Sequence, residues 1–460
     1  MEKSLIAYHD IDVTLPSQTF NVAFSYTTKE TLDFIDSMVL RLLVIAPMSA
    51  EKIAQFLELS NHETDVLLTS LLHREQIQHL EDGKFSLTKQ LEKAFSDVCA
   101  IPYVNKIEDS IQKMNFEMIG LNPKPVNQNS SDNGLNSIKL EASKEFLSSS
   151  ESLVYKEFQK NFRFYSNQDL IKFNLAENED EKKVQLYKMS QVEKLRDHSR
   201  RFQLNLTFND NATPTEINDF NHLQNVDRIE DALYSALRSS KKSENIKDIV
   251  KVLDKLDMEE YLGIESIFSH QKFHLDQLSE LNHGTNHYFI GPIYSKENAE
   301  LFFDAVKKCQ SNHSEQKQLY WLAPSDNFWG KSDRFSDFVD RLSSNKMTNN
   351  FKCLLPVSSQ DDRHSLSNYK KIITNQSGGK NFHTIRENSL MFEGNFEILV
   401  MENTFCAFII HVSSPSKDIL TTVPVGIMIT DSNAVEGFFD FFKQLEAEEN
   451  CIYGLLNQRK

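Results

Sequence analysis

Several things are scarce in this chain of 460 residues, and each shortage narrows what it can be. No run approaches the ~18 consecutive apolar residues that a membrane-crossing helix needs. The opening stretch Met1 to Asp10 also has no apolar segment of the kind that directs secretion, so a cytoplasmic location is expected. Cysteine is sparse: Cys99, Cys309, Cys353, Cys406 and Cys451 are scattered, form no Cys-x-x-Cys and are odd in number, which fits reduced thiols. Basic charge is in deficit, with 50 Lys and Arg against 66 Asp and Glu, a net charge of −16 and a pI near 5.4. Any contact with nucleic acid must therefore come from a local patch. Chemical signatures are missing as well: there is no P-loop, no Gly-x-Gly-x-x-Gly, no Gly-x-Ser-x-Gly and no Asp-rich metal loop. Ser377-Gly-Gly-Lys380 sits between a helical and an extended stretch, the wrong order for a phosphate loop that opens a helix, and reads as a turn. No cofactor and no metal are expected.

What is present suffices for globular folding. Apolar residues make up 40% of the chain and include 33 Phe, enough for several cores in a chain of this length. Composition and periodicity divide the chain into an N-terminal strand pair or arm (1–27), a mostly α-helical winged helix with a helical extension (28–121), a flexible linker (122–137), a mixed α+β middle region (138–284) and a C-terminal α/β domain (285–460). The linker is marked by Asn122-Pro-Lys-Pro-Val-Asn-Gln-Asn-Ser-Ser-Asp-Asn-Gly, where core-forming residues nearly vanish.

Two alternating runs, Ala7–Val13 and Thr19–Ser25, flank Pro16 and suggest a hairpin or a pairing arm. From Thr28 to Ile45 the apolar residues Leu32, Ile35, Met38, Val39, Leu42 and Leu43 recur at helical spacing, and Ser49 caps a second helix to Leu59. A third helix carries Val66, Leu67, Leu68, Leu71 and Leu72. An Asp82-Gly83 turn between Ile77–Leu80 and Lys84–Leu87 then completes the order of a winged helix. In a DNA reader the third helix enters the major groove, which here would present Asn61, His62, Thr69, Ser70, His73 and Arg74, with Lys84 on the wing. Glu63, Asp65, Glu81 and Asp82 interrupt that surface. DNA and a protein partner both stay open as its target.

The middle region has helical stretches at Phe146–Phe164, Val226–Arg238 and Ile246–Leu256 and extended ones at Val184–Tyr187 and Phe202–Phe208. Its basic run Lys194, Arg196, Arg200 and Arg201 is the strongest candidate for phosphate contact, with a solvated strand face as the plainer reading. Two histidine pairs, His270-x3-His274 in an expected helix and His283-x3-His287, have the i, i+4 spacing of a zinc-binding helix. Gln271 stands where a metalloprotease has Glu, and no Cys or carboxylate pattern accompanies them.

In residues 285–460 apolar runs alternate with amphipathic stretches: His287–Ile290, Ala299–Lys308, Gln318–Leu322, Phe335–Leu342, Phe351–Leu355, Leu366–Thr374 and Asn381–Ile385. A hairpin Phe396–Met401/Phe405–His411, the run Gly426–Ile429 and a helix from Asn433 follow. This is the pattern of a sheet covered on both faces. The layout, with Asn395-Phe-Glu-Ile-Leu-Val-Met-Glu402, resembles a phospholipase D-type domain. That family's His-x-Lys-x4-Asp positions read Asn395, Glu397 and Glu402 here. The resemblance implies a pseudoenzyme, because a nucleophilic His and a phosphate-neutralising Lys are both absent.

The same C-terminal pattern is similar to the domain that follows a winged helix in archaeal sugar-responsive transcription regulators and related prokaryotic accessory proteins. The resemblance implies a non-enzymatic regulator or scaffold subunit, using the winged helix for DNA or partner binding and the C-terminal domain for dimerisation or recognition. A protein partner and a homo-oligomer are expected and no membrane is. By association alone, a subunit of an antiphage defence complex fits the same features. The alternative is a phosphodiesterase or nuclease with an atypical active site drawn from His270, Lys272, His283 and His287.

Overall fold

The computed structural model describes residues 5–94, 103–124, 136–175, 184–209, 211–217, 219–220, 223–241, 247, 249, 268–269, 272–282, 286–310, 317–358, 362–374, 376, 378–386, 395–414, 416–447 and 452–455. They form a mixed α/β structure with several sheets.

The chain opens on a single strand, β1 (Ile6–Thr31), 26 residues long, which at ~3.3 Å per residue spans roughly 85 Å. It continues through Pro16, so residues 6–27 form neither a hairpin nor a free arm, and extended backbone persists through Thr28 where a helix was expected. From Thr31 the chain enters a helical module: α1 (Phe34–Ile45), α2 (Ala50–Leu57), α3 (Asn61–His73), the ribbon β2 (Ile77–His79) and β3 (Phe85–Leu87), and α4 (Lys89–Ala94). The module has its own core, in which Val39, Leu40, Leu43, Ile53, Leu68, Leu71, Ile77 and Leu87 are buried together. Ser60 and Glu63 form a capping box that starts α3.

The chain then returns as β4 (Tyr103–Glu117), antiparallel to β1 from Thr31↔Tyr103 to Ser17↔Glu117. Residues 103–117 are therefore strand, not a helical extension, and the module is an insertion at the tip of a long hairpin. Short strands β5 (Pro123–Lys124) and β6 (Ile138–Lys139) join this sheet. Helices α5 (Lys144–Ser148) and α6 (Ser150–Asn167) follow, and α6 lays Val154, Phe158, Phe162 and Tyr165 on Phe20, Val22, Phe24, Tyr26 and Phe116. The other edge of β1 is taken by β7 (Gln185–Phe208), antiparallel over nearly its whole length. Two expected strands, 184–187 and 202–208, are thus the ends of one. Of the expected linker 122–137, Pro123–Lys124 pair with β4 as β5, and residues 125–135 lie outside the described residues.

After β7 come α7 (Val226–Ser240), the small hairpin β8 (Phe268–Ser269)/β9 (Lys272–Phe273) and α8 (Leu275–Leu281). The remaining elements are β10 (His287–Ile290), α9 (Lys296–Gln310), β11 (Leu319–Leu322), α10 (Asp333–Ser344), β12 (Lys352–Val357), α11 (Arg363–Ile373), β13 (Phe382–Arg386), β14 (Phe396–Met401), β15 (Phe405–Val412), β16 (Val423–Ile429), α12 (Ser432–Ala447) and β17 (Ile452–Leu455). Their strands form one sheet in the order β10-β16-β15-β14-β11-β12-β13-β17, with β11, β12 and β13 parallel. Alternation sends Leu319, Trp321, Leu399 and Met401 to one face, where they pack with residues of α9 and α10. Tyr320, Leu322, Ile398 and Val400 go to the other, where Phe439 and Phe442 of α12 join them in a core that also holds Tyr8, Ile11 and Val13 of β1.

Charged groups lock β1 to this C-terminal layer. Asp12, 1% exposed, takes the Arg201 guanidinium, which also bridges Asp333 at 2.7 Å. Asp12 Oδ2 accepts from the Asp333 N–H at 2.8 Å, placing a carboxylate on the N-terminus of α10. The Asp12 N–H donates to Lys331 O at 2.7 Å, and Arg334 pairs with Asp10 at 3.1 Å. Removing one member of such a buried pair leaves the other without its counter-charge, at a cost of about 3–5 kcal/mol. Arg201→Ala is expected to lower the unfolding free energy by about 3 kcal/mol in denaturant melts, and a loss under about 1 kcal/mol would show the junction to be incidental.

Candidate functional site

Two charged residues stand inside otherwise apolar neighbouring strands: Glu397 in β14 and His411 in β15. Pairing of Glu397 with Ile409 puts His411 diagonally beside it on the same face of the sheet. Neither reaches water, since their side chains are 0% and 1% exposed. Glu397 Oε1 accepts from the indole Nε1 of Trp321 at 2.9 Å and of Trp329 at 3.0 Å. Its second oxygen, Oε2, takes His411 Nε2 at 3.0 Å. On the far side of the ring, His411 Nδ1 donates to Asp326 Oδ2 at 2.9 Å, an oxygen that also receives the Thr422 hydroxyl at 2.6 Å.

Burial alone would drive the His411 proton off. Hydrogen bonds to Asp326 and Glu397, with the two negative charges, outweigh it and raise the pKa to about 9. Asp326 is burdened by the same burial, yet His411 and Thr422 hold its carboxyl below the usual range. The centre is thus an imidazolium between two carboxylates. Around it, Tyr294 is held in its neutral phenol form by burial and by Glu397, and its oxygen accepts from the Gly330 N–H at 3.1 Å. His9 of β1 is pushed down to about 4 by burial and stays neutral.

The loop from Asp326 to Lys331 turns at Gly330, whose φ is +72° and where a Cβ would meet Ile372 Cγ2 at 2.8 Å. It forms one wall of a cavity of about 530 Å³, with Asp326 and Trp329 at the side of the ion centre and Lys139, Lys331, His364 and Tyr369 elsewhere in the lining. Within the centre both imidazole nitrogens are engaged, and Asp326 Oδ1 takes the Phe328 N–H at 3.3 Å. As arranged, the His411 ring has no lone pair available for nucleophilic attack.

Of the positions aligned with the phospholipase D-type motif, Glu397 lies at the heart of this centre. Asn395 is buried at a φ of +59°; its carbonyl accepts the His411 N–H, while its side-chain nitrogen and oxygen have no hydrogen-bond partner among the described residues. Glu402 lies outside the centre, in the turn after β14. On the helical module Asn61, His62, Thr69, His73 and Arg74 are exposed and Ser70 half-buried. Arg74 pairs with Asp36 at 2.9 Å, and Lys84 with Asp82 at 2.6 Å. The basic run of β7 is not gathered with them, because it pairs with Thr14–Phe20, far from where the module leaves β1. Lys194 bridges Asp197 at 2.9 Å, Arg200 lies over the Phe202 ring, Arg201 is held at the Asp12 junction, and Arg196 is exposed.

His270 and His283 lie outside the described residues. His274 follows the β8/β9 hairpin and only caps α8, and His287 opens strand β10, so neither stands within a helix as i, i+4 pairing requires. Among the described residues no group of three or more His, Cys, Asp or Glu is placed to hold a metal ion. Sequence reasoning missed His411, Asp326, Trp321, Trp329 and Thr422. The signal available was Glu397 and His411 themselves, two lone ionisable groups in the two strands of one apolar hairpin.

The raised pKa of His411 has a pH signature. Its stabilisation is complete below the unfolded value of 6.5 and is lost as pH rises through about 9, a span worth roughly 3 kcal/mol. Between those pH values the wild type is expected to lose more unfolding free energy than His411→Gln. Equal slopes in chemical denaturation would contradict the charged assignment.

No family model matches the chain, and neither does any curated protein. Among solved structures, it is similar to Nuc, a phospholipase D family member from Salmonella typhimurium. That likeness covers 35% of this chain and 91% of the other, at 9% identity and a TM-score of 0.21. It is also similar to TrmBL2, an archaeal chromatin protein described with a novel mode of DNA binding, over 48% of this chain and 69% of that one, at 12% identity and a TM-score of 0.20. Scores this low describe distant likeness only.

Proposed function

We propose that this protein is a non-enzymatic regulator or scaffold subunit whose N-terminal module, a winged helix by its element order, docks a protein partner rather than reading DNA. The observation that carries this reading is the outward face of α1. Val39, Leu40 and Leu43 fill the module's core, whereas Phe34, Met38 and Ile45 stand on the opposite side of the helix, with Phe34 76% and Ile45 77% exposed. Phe56 of α2 and Val66 of α3 add 64% and 58% exposed apolar side chains. A helix apolar on both faces is poorly matched to water and well matched to a second protein surface.

The polar surface points the same way. A DNA-reading helix needs cations directed at phosphates, yet Arg74 and Lys84 are each answered by a carboxylate, and Glu63, Asp65, Glu81 and Asp82 are exposed beside them. The C-terminal domain supports the non-enzymatic half of the reading. Where a phospholipase D-type strand would carry its phosphate-binding lysine, Glu397 is spent on two indoles and an imidazolium.

Titration of the full chain with mixed duplex DNA across a salt series tests the choice. The expected result is association no tighter than roughly 10⁻⁴ M at physiological salt, the loose end of nonspecific binding. Micromolar binding that weakens steeply with salt, and is lost when Arg74 and Lys84 are replaced by Glu, would overturn the protein-docking reading.

A further inference from the structure

The cavity beside the ion centre is lined mostly by polar groups from four separate segments: β6 with the residue before it, the C-terminal turn of α7, the 325–331 loop and α11. Its volume, about 530 Å³, falls in the range of small-ligand pockets, about 300–1,000 Å³. Two lysines from different segments, Lys139 and Lys331, belong to its lining, and Lys371 of α11 lies close enough to Lys331 to repel it. Burial, Lys371 and Lys139 together lower the Lys331 pKa to about 8. None of the three lysines forms an ion pair among the described residues, although the chain as a whole carries a net charge of −16.

Lys331, half-buried beside the exposed Lys139 and Lys371, carries a cost, since like charges repel and a half-buried ammonium loses hydration. An anion removes both penalties. The acidic group in the lining, Asp326, already takes the His411 imidazolium, the Thr422 hydroxyl and the Phe328 N–H. The first turn of α11 contributes His364 and Ser365 to the lining, its helix end being capped by Asp362, which accepts the Ser365 N–H at 3.0 Å. At the opposing C-terminus of α7, the Ser240 carbonyl is taken by Asn327 Nδ2 at 2.9 Å, and Ser239 also lines the cavity. Lysine is a point-charge donor suited to phosphate oxygens, and the aromatic Tyr369 completes one wall.

We propose that this cavity binds a small phosphate-bearing molecule of nucleotide size, with Lys331 and Lys139 holding the phosphate. None of the lysines belongs to the hairpin that carries Asn395, Glu397 and Glu402, so the site is built from different residues than the motif positions. It stands on the cavity alone, whichever partner the N-terminal module takes.

Calorimetric titration of the full chain with pyrophosphate, adenosine monophosphate and adenosine tests this. Pyrophosphate or the monophosphate should bind and adenosine should not. Tighter binding of the monophosphate assigns the rest of the cavity to an organic group, whereas equal binding assigns the site to phosphate alone. Lys331→Gln should weaken binding about tenfold or more, the loss of one charge-assisted contact. Lys307→Gln, at an exposed lysine paired with Asp304, should leave it unchanged. Without ligand, Lys331→Gln should melt at or above the wild-type temperature, which separates lost binding from lost folding. The proposal is overturned if no phosphate compound binds at millimolar concentration, if adenosine binds as tightly as its monophosphate, or if Lys331→Gln stays within twofold of wild type.

Discussion

A carboxylate sealed from water inside a sheet must have its charge answered on the spot, and the arrangement around Glu397 follows from that constraint. Two indole N–H groups and an imidazolium supply the answer, so Trp321, Trp329 and His411 each have one place they can occupy. The imidazolium in turn requires a second carboxylate, and Asp326 provides it from the loop after β11. Fixing Asp326 and Trp329 fixes the loop to Lys331. That loop then receives β1 through Lys331 O and, two residues on, presents the Asp333 N–H to Asp12. Ion centre, cavity wall and interlayer junction are therefore consecutive stretches of one short segment.

The second organising feature is the length of β1. One strand contributes His9 to the surroundings of the ion centre, Asp10 and Asp12 to the junction, and Phe20, Val22, Phe24 and Tyr26 to the α6 core. Beyond that core it continues to Thr31, where the helical module is inserted between it and β4. A surface module carried on a hairpin tip makes its contacts largely through its own face. The exposed apolar side of α1 accordingly gives the protein-docking reading its physical basis.

The C-terminal layer was readable because its strands are short, apolar and punctuated by amphipathic helices, so Phe396–Met401, Phe405–Val412 and the helix from Ser432 lie close to where periodicity puts them. The three helices and ribbon of residues 34–87 were readable for the same reason. Long-range pairing was not. Residues 28–31 carry no local signal against helix and are strand because β4 pairs with them, and the polar middle of β7 is strand because β1 supplies its partner groups. Arg201 looked like part of a basic surface run, yet pairing with β1 turns it onto Asp12. His411 carries the centre without matching any motif, since its partners Asp326 and Glu397 lie 85 and 14 residues away.

In the proposed non-enzymatic reading, the Glu397–His411 hairpin holds a structural ion centre rather than a catalytic one. The most direct measurement is hydrolysis of a chromogenic phosphodiester by the full chain, alone and with divalent cations, beside a Glu397→Gln variant confirmed as folded by circular dichroism. The account predicts no turnover above buffer for either protein. Turnover by the wild type that the folded variant loses would contradict it.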